Sequence, residues 1–527
     1  MSSGGKCRHC GEVLSTDAER VRHLVDAHVY DDLSRIDQKR IDTHRQDSSI
    51  TGRLDFPSVG GVVSRRRTLA TIGLGVAGFA GSFSLTALGS SNPTEIHSWD
   101  DLDEIRDDLD GDYLLKTDLD AGSPGYDDVA GPDANAEEGW DPVGEASDPF
   151  TGSLDGNGHT IEDLVIDLPD SDEVGFFHTL DGATVESVRL EDVEIHGGDY
   201  TGTLAMHSLS GSDVFDVSVT GTVEGNSHVG GLIRLNDGRI ESSSVEIDLT
   251  ATDSYGGIVV ENDPDGTIIE CTAKGTVDGG VGGGGLAGGN TGWILHSGAQ
   301  VDVNGMSMLG GLVGLNTEDT SLMYDVYATG DVSGTSDYVG GLIGKSDDGT
   351  ISSGFATGSV DGGDQVGGLV GMIESAGELT DAYAVGLVGG NSTPATSGGL
   401  VGENDDGTLT DLYWDEDTTD QAAAVGTGDD DGTTGRTTAD MQGSTPLPAP
   451  DGNDTMSGFD FTDDWYAVID GEQINPTPEA DGYPILQAID AETQLAAMGV
   501  SFTTGDALIS IDAGGDVSVS NITVGDD

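Results

Sequence analysis

The chain has 527 residues, 84 of them glycine, with 96 Asp and Glu against 20 Lys and Arg and a net charge of −76. That balance excludes nucleic acid as a partner of the acidic body, because phosphate binding needs clustered cations. Three cysteines exclude a disulfide-stapled scaffold. The charge is unevenly placed: residues 1–60 hold 9 basic and 10 acidic groups, 61–90 hold 3 and none, and 91–527 hold 8 and 86. Self-repulsion on that scale opposes compaction in dilute buffer, whereas at molar salt the Debye length falls to about 3 Å and screens it. The composition therefore predicts a protein of an extreme halophile.

In chain order, Cys7, Cys10, His23 and His28 follow the spacing C-x2-C-x12-H-x4-H of a tetrahedral zinc site. Residues 1–30 are read as a small ββα zinc finger with Zn as its cofactor. Thr16 and Glu19 form a capping box for the helix that carries both histidines, and Leu14, Val21 and Leu24 supply a small core. The segment is similar to the two-cysteine, two-histidine finger family in ligand spacing only. With 9 basic and 10 acidic groups in residues 1–60 it has no phosphate-binding patch, so a structural or protein-contacting role is expected.

Residues 31–63 read as a polar linker. Ser64-Arg65-Arg66-Arg67-Thr68-Leu69 opens an uncharged run to Gly89 that looks like a twin-arginine export signal over 64–89, with Ala87 and Gly89 as small residues for cleavage. The rival is a retained signal anchor, with membrane contact through 68–89 and residues 1–63 left in the cytosol. Translation starting further downstream is a third option. Residues 90–150 are expected to cap the domain that follows. Ser98 and Asp101 form a helix start, and Trp99, Leu102, Ile105 and Leu109 share one face.

From there the chain repeats. Gly230-Gly231-Leu232-Ile233, Gly256-Gly257-Ile258-Val259, Gly284-Gly285-Leu286-Ala287 and Gly310-Gly311-Leu312-Val313 are followed by copies at Gly340, Gly367 and Gly398. The steps are 26, 28, 26, 30, 27 and 31 residues. A second column alternates apolar and polar residues in step with the first, as in Val245-Glu246-Ile247-Asp248-Leu249 and Ala328-Thr329-Gly330-Asp331-Val332. Period-two alternation argues for half-buried strands, and a constant period argues for a solenoid. A β-propeller blade needs about 40 or more residues, so the short repeat excludes it. The predicted fold is all-β: a right-handed parallel β-helix of about nine coils of ~28 residues over 151–412. Cap residues are expected over 413–490, with Trp465, Tyr466, Tyr483, Pro484, Ile485 and Leu486 covering the last coil. The tail 491–527, with Ala507, Ile509, Ile511, Val517, Val519 and Ile522, reads as a β appendage.

The Gly-Gly-Leu-Val-Gly copies, with Gly349-Thr350-Ile351-Ser352-Ser353 and Tyr327-Ala328-Thr329-Gly330, resemble the GLUG motif family. Phe150 to Ile161, Tyr413-Trp414-Asp415 and Thr437 to Met441 fit the same resemblance, which covers roughly residues 95 to 490. It implies a large secreted or surface-attached β-helical protein, many of which are described as adhesin-like, and it implies no activity.

Carboxylates are so common here that any pair is expected by chance, and the eight basic residues of the body form no cluster. His159, His178, His196 and His207 read as ordinary surface residues. Calcium at Asp263-Pro264-Asp265-Gly266 or Asp429-Asp430-Asp431-Gly432 lacks complete loop spacing. Cys271 reads as a small core filler. Asn391, Asn453 and Asn521 head glycosylation sequons. The expectation is a secreted or cell-surface, non-catalytic, adhesin-like protein whose partners are envelope or surface glycans and proteins. The alternatives are a carbohydrate-active β-helix enzyme, a polysaccharide lyase or hydrolase, and a membrane-anchored sensor with a cytosolic finger.

Overall fold

The computed structural model describes residues 93–389, 396–447, 455–462, 464–469 and 481–499. The zinc ligands Cys7, Cys10, His23 and His28, the linker 31–63, the export segment 64–89, the three sequons and the tail beyond Gly499 lie outside the described residues.

One coil shows how the repeat folds. Strand Ser254–Gly256 leads through Gly257 and Ile258 into strand Val259–Asn262. A turn then gives strand Thr267–Ile269, a corner at Glu270 and strand Thr272–Asp278. Each strand pairs in parallel with its equivalents one coil away on either side. Stacking these coils gives parallel sheets of 22, 9 and 10 strands, which is a parallel β-helix. Alternation decides what goes inside: Val245, Ile247 and Leu249 are buried, while Glu246, Asp248 and Thr250 face out.

The ten-stranded sheet runs from Phe177–Leu180 to Val425–Gly428, so the solenoid has ten turns and extends past the 151–412 of the repeat pattern. Both expected caps contribute rungs to the broad sheet. Thr94–Ile96 and Asp112–Leu115 precede Ser153–Asp155, and Thr433–Arg436 pairs with Leu412–Asp415. These outer rungs lack the double glycine because they turn through loops and short helices instead. At the first end Ser98 caps helix Trp99–Asp103, its hydroxyl accepting from Asp101 N at 3.1 Å. Trp99, Leu102 and Ile105 are buried there, and Trp140 stacks on Phe176 at 4.7 Å.

The double glycine is a close-approach device. A Cβ on Gly311 would run into the carbonyl oxygen of Gly341 one coil on, and the same holds for Gly341 against Gly368 and Gly368 against Gly399. Opposite these glycines stands an alanine column, Ala273, Ala299, Ala328, Ala356 and Ala384 in register. The column ends at Trp414, whose indole lies against Gly399 and donates to Gln421 O at 3.0 Å. Trp414 thus fills the core at the last rungs, and the segment containing Trp465 lies elsewhere.

That segment returns along the flank. Trp465–Val468 and Gly482–Leu486 form a separate antiparallel pair, and Ala491–Ala497 is a helix capped by Asp490. The β tail expected from 491 therefore begins as a helix, because Leu495 is drawn into a small cluster with Val468 and Ile485. The returning segment packs on the outward aromatics Tyr327, Phe355, Tyr383 and Tyr413. It covers the side of successive coils instead of the end of the stack.

Inside the solenoid Asn236, Asn262, Asn290 and Asn316 stack as a ladder, each Nδ2 donating to the next Oδ1 at 2.8, 2.8 and 2.9 Å. The next rung is Ser346, too short to continue, and Asn316 Nδ2 and Ser346 Oγ have no hydrogen-bond partner. Ser346→Asn is expected to extend the ladder and stabilise the fold by about 1 kcal/mol, since buried donors are costly to leave unmet. Thermal unfolding in molar KCl checks this, and an unchanged or lower midpoint contradicts it.

Candidate functional site

The largest regular surface is the outer face of the broad sheet. Glu194, Thr222, Asp248, Thr276 and Asp302 occupy one row in register across five coils. Thr276 Oγ1 donates to Asp248 at 2.7 Å, so neighbouring rungs are tied through their side chains. Rows of hydroxyls and carboxylates repeat here at the coil spacing, about 4.8 Å. Two rows away on the same face, past Thr220, Glu246, Lys274 and Gln300, a row begins as Ser218, Ser244, Thr272 and Gly298 and then becomes Tyr327, Phe355, Tyr383 and Tyr413. The change from small to aromatic marks where the flank passes from solvent to the returning segment.

Cationic side chains are spent on holding the body together. Arg234 pairs with Glu261 at 3.3 Å and lies over the Tyr200 ring, and Lys345 pairs with Glu374. Arg436 donates to Thr455 O at 2.6 Å. The histidines have partners that the sequence reading missed. His159 meets Asp118, His196 meets Asp167, His207 meets Asp237 and His296 meets Asp325, at 2.9 to 3.1 Å. These partners lie 29 to 41 residues away in sequence, about one turn of the chain, and that offset was the available signal. Asp118 is held below the ordinary carboxylate range, first by the Thr160 amide and then by His159.

A cleft of about 600 Å³ opens beside the first turns, lined by Arg106, Asp141, Glu145, Asp148, Glu173 and His178 among others. His178 Nε2 lies 2.9 Å from Glu173, and its Nδ1 lies 2.9 Å from Thr179 Oγ1. Arg106 is its one arginine, and each of its three nitrogens has a neighbour. It reaches Asp103 Oδ1 at 2.6 Å, Asp141 O at 2.9 Å and Pro142 O at 3.5 Å, beside the Trp140 ring. It clamps the capping helix to the 141–142 loop. The remaining carboxylates can accept hydrogen bonds from a polyol.

Among the described residues, Asp429, Asp430 and Asp431 form the one group of carboxylates close enough to share a metal ion, and all three are exposed. Asp429 accepts from Asp431 N at 3.1 Å, which is ordinary turn geometry. In the other candidate turn, Gly266 N donates to Asp263 O at 2.7 Å, and burial followed by Asp237 and Glu261 pushes the Asp263 carboxyl up. The Cys271 thiol is buried and pushed up to about 12, so it is inert at neutral pH.

The fold and its surfaces define the body as a parallel β-solenoid with an acidic, hydroxyl-rich exterior. No family model matches the chain. Over 176 residues, 31% of its length, it is 39% identical to halomucin of Haloquadratum walsbyi, of which it covers 2%. Over 276 residues, half its length, it is 28% identical to an immunoglobulin A1 protease of Streptococcus pneumoniae serotype 4, of which it covers 12%. Among solved structures, an IgA1 protease chain aligns at TM-score 0.34 and 22% identity, covering 44% of this chain and 19% of that one. A putative immunoglobulin A1 protease from Bacteroides ovatus aligns at TM-score 0.27 and 15% identity, covering 76% and 93%. Both superpositions are loose, and the fold assignment rests on the strand pairing above. Among the described residues no helix is long and apolar enough to cross a membrane.

Proposed function

We propose that this chain is an exported, non-catalytic β-helical protein of a halophile's surface or medium, which presents its outer face to envelope glycans or proteins. The observation that carries the reading is the in-register row of Glu194, Thr222, Asp248, Thr276 and Asp302 on an uncovered sheet face. Such a row offers the same acceptors and donors at every coil, which suits many weak contacts along a polymer better than one specific pocket. The body's excess of acid over base, 86 against 8, supports work in molar salt, and the similarity to halomucin supports both setting and placement. The resemblance of the double-glycine rungs to GLUG motif proteins points the same way, as does the twin-arginine-like segment 64–89.

The cleft beside His178 is the feature that favours the second reading, a carbohydrate-active enzyme. Its arginine already bonds Asp103 and the 141–142 loop, which supports the structural reading over that of a lyase cation beside its carboxylates. The test is intact mass and N-terminal sequencing of the native protein from medium, envelope and cytosol, kept in molar salt throughout. A chain starting near Ser90 in the first two fractions is the expected result. A cytosolic protein overturns it. A membrane-bound chain still carrying Cys7 to His28 establishes the sensor instead, and turnover of a polysaccharide by the purified body establishes the enzyme.

A further inference from the structure

We propose that the returning segment, described at 455–462, 464–469 and 481–499, is an acid-latched strap. It closes on the aromatic ladder of the solenoid's flank when a carboxyl seam beneath it is neutral, and it loosens when the seam is charged. This inference is independent of the functional reading above.

The first ground is how the strap is attached. Its two strands, Trp465–Val468 and Gly482–Leu486, pair only with each other, so no backbone ladder joins them to the solenoid's sheets. What holds the strap is apolar contact: Phe459, Trp465 and Leu486 on Tyr327, Phe355 and Tyr383, with Trp465 and Phe459 stacked at 4.4 Å. A few hydrogen bonds add to this. Tyr383 Oη donates to Pro484 O at 2.6 Å, and Gly458 N donates to Tyr413 Oη at 3.0 Å. The strap can therefore leave while every rung of the solenoid stays paired.

The second ground is what lies along its edge. The corner residues of positive φ form a column, and in the covered coils it reads Asp325, Ser353, Asp381, Asp411. The strap brings Gly458 against the Asp411 side chain, and the charge of Asp460 on the strap acts on Asp381. The charged neighbours facing Asp381 are thus Asp411 from the next coil and Asp460 from the strap, both acidic, while Ser353 occupies the rung before it. Further along the seam His296 lies 3.1 Å from Asp325, and Tyr324 Oη donates to Asp464 at 3.4 Å.

Burial pushes the Asp381 carboxyl up to about 6; the Thr380 hydroxyl at 3.0 Å opposes it, and Asp411 and then Asp460 add smaller upward pushes. An acid raised in the closed state and ordinary in the open state favours closure fully below the ordinary carboxylate range. That contribution is lost as pH rises through about 6. Salt weakens the repulsion from Asp411 and Asp460 but leaves the desolvation of Asp381, so part of the dependence survives in molar salt.

The experiment is hydrogen exchange by mass spectrometry on the full chain in molar KCl, at about pH 5 and about pH 7.5, with rates corrected for the intrinsic pH dependence of exchange. Peptides from 455–469 and 481–499 are expected to open roughly tenfold more often at the higher pH, which is the part of a shift from 3.8 to about 6 that falls between these two pH values. Peptides from 213–290, away from the strap, are expected to show no such ratio. Asp381→Asn is expected to abolish the ratio. Asp460→Asn, on the strap itself, is expected to reduce it and carries the same test should the first variant fail to fold. Equal opening at both pH values overturns the proposal, as does a ratio untouched by either substitution or strap and coils opening together.

Discussion

Gly311→Ala is expected to destabilise the solenoid by about 3–5 kcal/mol, at the upper end of what a single added methyl does to a packed interior. The new Cβ meets a backbone carbonyl, that of Gly341 in the next coil, with Ala328 Cβ behind it. A side chain can rotate away from a methyl, but a carbonyl inside a parallel ladder cannot move without loosening its own hydrogen bonds. Gly311 N donates to Gly340 O at 3.3 Å and Leu312 N to Leu342 O at 2.9 Å, so the corner is already tied on the side that would have to give. Gly289→Ala is the control. It sits on a strand of the same stack, and a Cβ there meets nothing nearer than 3.9 Å. Urea unfolding in molar KCl should separate the two variants by several kcal/mol. Equal midpoints would falsify the close-approach account of the repeat.

Phe355→Ala is expected to remove about 3–5 kcal/mol from the docking of the flank while leaving the coils stacked. The ring is wholly buried, stacked between Tyr327 at 5.4 Å and Tyr383 at 5.3 Å, with Trp465 at 6.4 Å. Its loss breaks the aromatic ladder in the middle and leaves a cavity under Trp465 that the flat strand cannot close. Stacked aromatic pairs add about 0.5–1.5 kcal/mol each beyond area burial, so two are lost together. The expected signature is local. Trp465 emission shifts to the red and protection of 455–469 falls, while far-ultraviolet circular dichroism keeps its β signal. Tyr466→Ala, whose ring is 40% exposed on the strap's outer side, should change neither. Loss of the β signal in Phe355→Ala would mean that strap and solenoid fold as one unit.

Much of the fold was legible because the solenoid's constraints are local and repeated. Gly311 and Ala328 face each other in every coil, so the requirement for small residues is written again at Gly341 with Ala356 and at Gly368 with Ala384. Strand alternation at Val245, Ile247 and Leu249 likewise states its own burial. The asparagine ladder was equally visible and was passed over. Asn236, Asn262, Asn290, Asn316 and Asn404 each stand five residues after the second glycine of their repeat. A polar residue recurring at a fixed place inside an apolar pattern signals a satisfied stack. The corners were not readable, because Ser187, Asp216, Glu270 and His296 share a positive φ without sharing a residue type. Stacked coils impose that conformation on whichever side chain arrives there.

The amino-acid sequence by itself determined the period, the all-β class, the inward columns and the acidic exterior. Each follows from side-chain size, polarity and charge read over a few neighbouring positions. Only the tertiary structure decided that Tyr327, Phe355, Tyr383 and Tyr413 are covered, that His296 meets Asp325, and that Gly458 of the strap lies against Asp411. Those outcomes depend on which residues a full turn of chain brings side by side, and on where a segment a hundred residues downstream comes to rest. An outward position on a strand is the same local pattern whether water or Trp465 lies against it, and long-range apolar contact makes that choice.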